Sequence, residues 1–187
     1  QTIARAAPQA APVDEEFDLA RVVARFESPL LRYVQQFFGG EPDPAEEIVQ
    51  EAFLRLHRQV AEQGISSVEN VSSWLFRVAH NLTISTMRRR ELERRLREQA
   101  VSDAACTGVS SGDALDDMVR REMCDLVMVE VRRLPDEQKQ VLLLKVIQGF
   151  TLREIAEITG LSPSNVSYRI NQALCELSQR LKAAGMI

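Results

Sequence analysis

Residues 151–174 read TLREIAEITGLSPSNVSYRINQAL. Thr151, followed three residues on by Glu154, is a capping box that opens a short helix carrying Ile155, Ala156 and Ile158 on one side. Gly160 ends that helix after about two turns. Leu161 is a buried turn residue, Ser162 caps the next helix, and Pro163 takes its first position, where a missing N–H costs nothing. The second helix carries Val166, Ile170, Ala173, Leu174, Leu177 and Leu181 inward. Two helices joined by a tight Gly-containing turn, with small Ala156 on the inner face so that the second can cross closely, form a helix-turn-helix. Outward at the start of the second helix stand Ser164, Asn165, Ser167, Tyr168, Asn171 and Gln172, with Arg169 on the flank. Short or amide-bearing side chains of this kind suit base edges and phosphates. The plainer alternative is a three-helix bundle with a solvated polar face; the turn grammar favours DNA recognition.

The same spacing of apolar residues at three and four positions recurs almost throughout, and alternating β-branched runs are few, which predicts an all-α protein. Upstream of the quoted stretch, Pro135 opens a helix expected over Asp136 to Gln148, burying Val141, Leu142, Leu144, the stem of Lys145 and Val146, with Gly149 as its stop. Before it, Met118 to Leu134 reads as a helix with Val119, Met123, Leu126, Val127, Val129 and Val131 in reach of a core. In the first half, a helical region from Asp14 breaks at Ser28-Pro29 into two segments and ends at Gly39-Gly40. Asp43-Pro44-Ala45-Glu46 restarts a helix, with Asp43 as cap, Pro44 first and Glu46 completing a capping-box-like arrangement. It runs to about Ala61 with Ile48, Val49, Ala52, Phe53, Leu56 and Val60 inward. After a Gly/Ser/Asn-rich loop at 62–72, a further helix has Val71, Trp74, Leu75, Val78 and Leu82 on its buried side and continues through an arginine-rich stretch.

Two helical domains follow from this pattern: 14–99 and 119–187, joined by an acidic Ser/Gly/Asp/Ala-rich linker at 100–118 and preceded by an Ala/Pro-rich leader at 1–13 expected to be disordered. The chain does not begin with Met, which points to a trimmed or processed start. The net charge of −4 is segmented. Residues 1–76 carry 6 basic and 12 acidic groups, 77–101 carry 7 and 3, 102–118 carry none and 4, and 119–187 carry 10 and 8. A basic block therefore sits between acidic ones, where nucleic acid would pass. No stretch of about 18 apolar residues and no secretory signal is present, so a soluble, intracellular, cytoplasmic protein without membrane insertion is expected. Cys106, Cys124 and Cys175 lack CxxC spacing and the histidines are only His57 and His80, so the pattern encodes no disulfide framework or metal site. No catalytic constellation or cofactor motif is visible, and an enzyme is not expected.

The segment LPDEQKQVLLLKVIQGFTLREIAEITGLSPSNVSYRINQALCELSQRL (134–181) resembles the promoter-reading C-terminal domain, region 4, of bacterial sigma factors of the sigma-70 family. DPAEEIVQEAFLRLHRQV (43–60) with SSWLFRVAHNLTISTMRRR (72–90) resembles their core-binding and downstream-element domain, region 2. With these two domains and a short linker, the chain resembles the extracytoplasmic function (ECF) group.

The resemblance implies a dissociable subunit of RNA polymerase that directs promoter-specific initiation without a cofactor. The helix after Asp43 would dock on the clamp coiled coil of the largest polymerase subunit through Glu46, Glu47, Gln50, Glu51, Leu54, Arg55 and Arg58, a charged and amide surface beside apolar anchors. The loop from Gly64 to Asn70 and the helix after it would hold the melted downstream (minus-10) element through Asn70, Arg77, Asn81, Arg88 and Arg89, while Trp74 belongs to the apolar stripe. The helix from Pro163 would read the double-stranded upstream (minus-35) element. Family members often carry arginine or aromatic groups where this chain has Ser167, Asn171 and Gln172. Asn and Gln pair naturally with adenine edges, so upstream contacts are expected to shift from G-rich toward A-containing sequence. An anti-sigma factor is a further implied partner. The competing reading is a stand-alone helix-turn-helix regulator with an N-terminal interaction domain.

Overall fold

The computed structural model describes residues 17–39, 42–98 and 126–184; the expected leader and linker, the start of the helix at Met118, and Gly40 lie outside the described residues. The described chain is helical: α1 (Leu19–Gln35), α2 (Pro42–Gln63), α3 (Val71–Glu98), α4 (126–132), α5 (Asp136–Val146), α6 (Leu152–Thr159) and α7 (Pro163–Ala183), with a 3-10 turn at Ile65–Ser67. In the first half α1, α2 and α3 pack on one another, and in the second α5, α6 and α7 do the same.

Asp18 starts α1 by accepting the Arg21 N–H at 3.1 Å. The break expected at Ser28-Pro29 does not occur, because α1 runs through Pro29 without interruption. An interior proline costs about 3 kcal/mol. Burying Leu30, Tyr33 and Val34 in the turn that follows stabilises by about 1.5–3 kcal/mol for each side chain, so packing outweighs the local penalty. The helix then ends at Gln35 in a turn closed by Gly39.

α2 begins at Pro42, one residue before the expected cap, and no bond joins Glu46 to Asp43. Pro42 is itself suited to a first helical position, which moves Asp43 into the first turn, where its charge favours the helix dipole. Its buried residues Ile48, Val49, Ala52, Phe53 and Leu56 are those of the expected stripe. Asn70 caps α3: its side-chain oxygen accepts the Ser73 N–H at 3.1 Å.

The buried face of α3 differs from the expected one. Leu75 is fully buried, but its buried neighbours are Phe76, Ala79, His80 and Thr83, whereas Val71, Trp74, Val78 and Leu82 are only partly buried. The reason is that α3 is covered by α1 and α2 of its own half and also by α6 of the second half. Tyr33 and His80 form a buried hydrogen-bonded pair at 2.9 Å beneath this face.

The second half follows the local grammar closely. Thr151 and Glu154 make both capping-box bonds, Gly160 closes α6 in the left-handed conformation at φ 71°, and Ser162 caps α7 by accepting the Asn165 N–H at 3.2 Å. Three side chains expected inside are instead exposed: Leu126 (52%), Val146 (67%) and Leu174 (47%). Lys145 is exposed as well, although its Nζ donates to the Phe150 carbonyl at 3.2 Å. α5 stops at Val146, short of Gln148, so that residue lies beyond the packed turns, while Lys139, Gln140 and Leu143 take the enclosed positions. α7 buries only Val166, Ile170 and Ala173, a narrower stripe than six apolar positions allow.

Side chains from both halves form one continuous core. At the joint Phe76 of α3 meets Phe150, just before α6, edge to face with centroids 5.2 Å apart. Gln148 Nε2 donates to the Pro29 carbonyl at 3.4 Å, Arg132 Nε donates to Gln36 Oε1 at 3.1 Å, and Lys139 Nζ, paired with Asp136 at 2.9 Å, lies 5.5 Å from the Phe37 ring centroid.

Candidate nucleic-acid interface

Three surfaces carry the residues singled out in the sequence. The first is the start of α7. The capped turn and the buried Val166, Ile170 and Ala173 fix the helix against α5 and α6, leaving Ser164, Asn165, Asn171 and Gln172 exposed and Tyr168 61% exposed. Gln172 Nε2 donates to the Tyr168 hydroxyl at 2.7 Å, which aligns these two side chains one turn apart. Ser167 is half-buried, and Arg169 is held on both sides: Nη2 lies 2.9 Å from Glu137 Oε2 of α5, and Nε donates to Asn165 Oδ1 at 3.2 Å. Arg169 is thus tied to the scaffold, and Asn165, Tyr168, Asn171 and Gln172 form the open, exposed face of the helix.

The second surface runs along α3. Asn70, Arg77, Asn81 and Arg88 are all exposed and succeed one another by seven, four and seven residues, which puts them on one stripe of the helix. Trp74 is partly buried against the core, as the apolar stripe implied. The arginine run beyond is less free than its charge suggests. Arg89 pairs with Glu93 at 2.9 Å, Arg94 and Arg95 share Glu91 at 2.9 and 2.6 Å, and Arg90 lies 5.0 Å over the Phe38 ring. Hydrogen bonds from Arg94 and Arg95 hold the Glu91 carboxyl down to about 2.

Beside Asn70 lies a groove of about 730 Å³ between α1 and the loop before α3. Phe17, Val22 and Phe26 give it apolar walls, Ile65, Asn70 and Ser72 face them, and Arg21 and Arg25 stand one turn apart on the α1 side; Asp18 and Glu69 also line it. Sequence reading missed the two arginines, since on α1 alone they look like solvated helix positions. Only the folding of the loop against α1 brings them to Asn70.

The third surface is the outer face of α2. Glu46, Glu47, Gln50, Leu54 (44%), Arg55 and Arg58 are exposed along it. Glu51 pairs with Arg55 at 2.8 Å, and this bond lowers the Glu51 carboxyl below its usual range. Glu46, Gln50 and Leu54 border a second groove, about 780 Å³, floored by Val23 and Leu31 of α1 and Val49 and Phe53 of α2. The groove thus has an apolar floor, with Glu27, Glu46, Gln50 and His57 as its polar lining. Among the described residues no cluster of metal-ligating side chains occurs, and no helix is long and apolar enough to cross a membrane.

Both halves of the chain match known proteins. Residues 22–93 match the family model of sigma-70 region 2, and residues 125–177 match that of sigma-70 region 4. The chain is 30% identical over 148 residues to the ECF RNA polymerase sigma factor SigW of Bacillus subtilis (strain 168), covering 76% of this chain and 78% of that one. It is 29% identical over 157 residues to the ECF RNA polymerase sigma factor EcfG of Rhodopseudomonas palustris (strain TIE-1), covering 84% and 82%. The fold is shared with the sigma factor RpoE of Bartonella quintana, solved in complex with the anti-sigma factor NepR (TM-score 0.66, 19% identity, 88% of this chain and 97% of that one). It is also shared with CnrH, solved in complex with the cytosolic domain of CnrY (TM-score 0.60, 22% identity, 88% of each chain).

Two helical halves carrying regions 2 and 4 define a sigma factor of the sigma-70 type. More narrowly, the chain belongs to the ECF RNA polymerase sigma factors, the subunits that direct promoter-specific transcription, and its relatives are sigma factors, which are not enzymes.

Proposed function

We propose that this protein docks on the clamp coiled coil of core RNA polymerase through the outer face of α2 and its adjoining groove, and in that complex reads a promoter at two places in the cytoplasm. Asn165, Tyr168, Asn171 and Gln172 of α7 enter the major groove of the upstream element. Asn70, Arg77, Asn81 and Arg88 of α3 hold the melted downstream strand, with Arg21 and Arg25 closing the groove beside Asn70. The observation that carries this reading is the pairing of an exposed, uncharged face on a capped helix-turn-helix with a separate cationic stripe on α3. The first suits base edges in duplex DNA and the second suits the backbone of an opened strand. An anti-sigma factor is a further partner, a reading supported by the structural neighbour RpoE, which was solved in complex with the anti-sigma factor NepR.

Adding the purified chain to core polymerase and a promoter template tests the proposal. Promoter-specific run-off transcripts that require the chain support it. Tight specific binding to free promoter DNA, with no effect on the polymerase, would establish the stand-alone regulator instead.

A further inference from the structure

We infer that Arg169, anchored by Glu137 of α5, is a positioning residue that fixes the Asn165 amide with its nitrogen outward, so that Asn165 reads one upstream base as a donor and selects guanine. This rests on the assignment of α7 as the reader of the upstream element. Asn165 is exposed in the first turn of α7, where a recognition helix presents its side chains to base edges. Its backbone N–H donates to the Ser162 hydroxyl, and its Oδ1 accepts from Arg169 Nε at 3.2 Å. A guanidinium donates and never accepts, so the amide atom that faces Arg169 is necessarily the oxygen. Oxygen and nitrogen diverge from the same planar carbon, and Nδ2 is therefore left on the side away from the cation, with its donors free for DNA.

The anchor gives this arrangement its direction. Arg169 Nη2 lies 2.9 Å from Glu137 Oε2, and the arginine side chain is only 20% exposed whereas that of Glu137 is 72% exposed. The guanidinium is thus enclosed between α5 and α7 by a charge-assisted bond on one side and an amide on the other, and reaches no base itself unless both are broken. The other two amides of the face have no such tether. Gln172 meets the Tyr168 hydroxyl, which both donates and accepts and so leaves the amide free to take either orientation. An asparagine reads adenine by accepting from N6 while donating to N7, which needs oxygen and nitrogen outward together. With its oxygen turned to Arg169, Asn165 offers donors only. Guanine, whose N7 and O6 are adjacent acceptors, matches that edge, and adenine sets its N6 donor against it. The expected upstream site therefore holds one guanine beside the adenines read by Asn171 and Gln172.

The test is selection from a random upstream library by the full chain with core polymerase, comparing the wild type with Asn165→Ala, Asn165→Asp, Arg169→Met and Glu137→Ala. The wild type should favour guanine at one position by about fivefold or more. Asn165→Ala should level that position and leave the others as they were. Asn165→Asp, which turns an acceptor outward, should exchange the guanine for cytosine, whose N4 donates. Arg169→Met keeps a long stem in the enclosed site but frees the amide to turn, so the guanine preference should fall below about twofold and adenine should enter. Glu137→Ala removes the anchor at an exposed side chain and should shift the preference the same way; with Asn165→Asp it decides the matter if circular dichroism shows Arg169→Met unfolded. A guanine preference that survives Asn165→Ala overturns the inference and makes Arg169 the direct reader. Even weakening across all sequences overturns it in favour of a phosphate contact, as does an undiminished preference in Arg169→Met or in Glu137→Ala in favour of an untethered amide. If the wild type with polymerase selects no upstream sequence, the reading of that element by α7 fails, and this inference with it.

Discussion

Lowering the pH should destabilise the fold through one buried histidine. Burial pushes the His80 imidazole from 6.5 down to about 4, because the charged ring would sit without water beside Tyr33 on the buried face of α3. The unfolded chain takes up a proton as the pH falls through 6.5, whereas the folded chain resists until about 4. Stability is therefore complete above 6.5 and is lost progressively as the pH falls from 6.5 to 4. Integrating the two titrations between pH 7.5 and pH 5 gives a loss of about 2 kcal/mol. The carboxylates Glu51, Glu91 and Glu154, each held below the usual 4.5 by hydrogen bonds, lose their contribution mainly at more acidic pH and add little in this window. Urea unfolding followed by helical circular dichroism at the two pH values measures the difference. In His80→Gln, which keeps a hydrogen-bonding group near the Tyr33 hydroxyl, the difference should shrink to under about 0.5 kcal/mol. A wild type equally stable at both pH values, or a variant with the same pH dependence, refutes the reasoning.

Gly160→Ala should cost about 1 kcal/mol in thermal unfolding, all of it from the left-handed backbone at φ +71°, because no atom lies within 4 Å of the added Cβ. A cost near 4 kcal/mol would instead reveal crowding at the turn. Leu54→Asp, on the rim of the α2 groove, should weaken association with core polymerase at least about tenfold and leave the melting temperature unchanged, as native gel titration and circular dichroism would read out. Selection of promoters from a random upstream library with polymerase present should yield A-containing sites. Recovery of an unchanged G-rich motif after Asn171 and Gln172 are both replaced by Ala would contradict adenine readout by these amides.

Much of the second half was legible because its signals are local. Thr151 with Glu154, Gly160, and Ser162 with Pro163 act within one turn of chain, and each stands in the structure as expected. Where the outcome depends on what lies opposite, periodicity alone was insufficient. Pro29 reads as a stop, and only the burial of Leu30, Tyr33 and Val34 carries α1 through it. Phe76 and His80 look peripheral to the expected stripe of α3 because the surfaces that cover them are distant in sequence: Tyr33 of α1 meets both, and Phe150 of the second half meets Phe76. Leu126, Val146 and Leu174 carry apolar side chains at core-like spacing but meet no neighbour to bury them. The same blindness hid Arg21 and Arg25, whose place beside Asn70 is made by the loop between α2 and α3. The arginine run is legible as charge, yet its neutralisation by Glu91 and Glu93 emerges only when the helix places acids three and four residues away.

The edge-to-face meeting of Phe76 and Phe150, at the seam of a single buried core, also bears on how the chain melts. Two halves with independent interiors would unfold as two transitions. Joined in this way, they share cooperativity: each lends the other part of its resistance to heat and denaturant, and calorimetry of the free protein should show one endotherm. A substitution deep in α2 then lowers the protection of amides in α6, which it reaches through the shared core. The quality-control consequence is that damage to either half exposes both to proteolysis, so that a chain with one working half and one defective half does not accumulate.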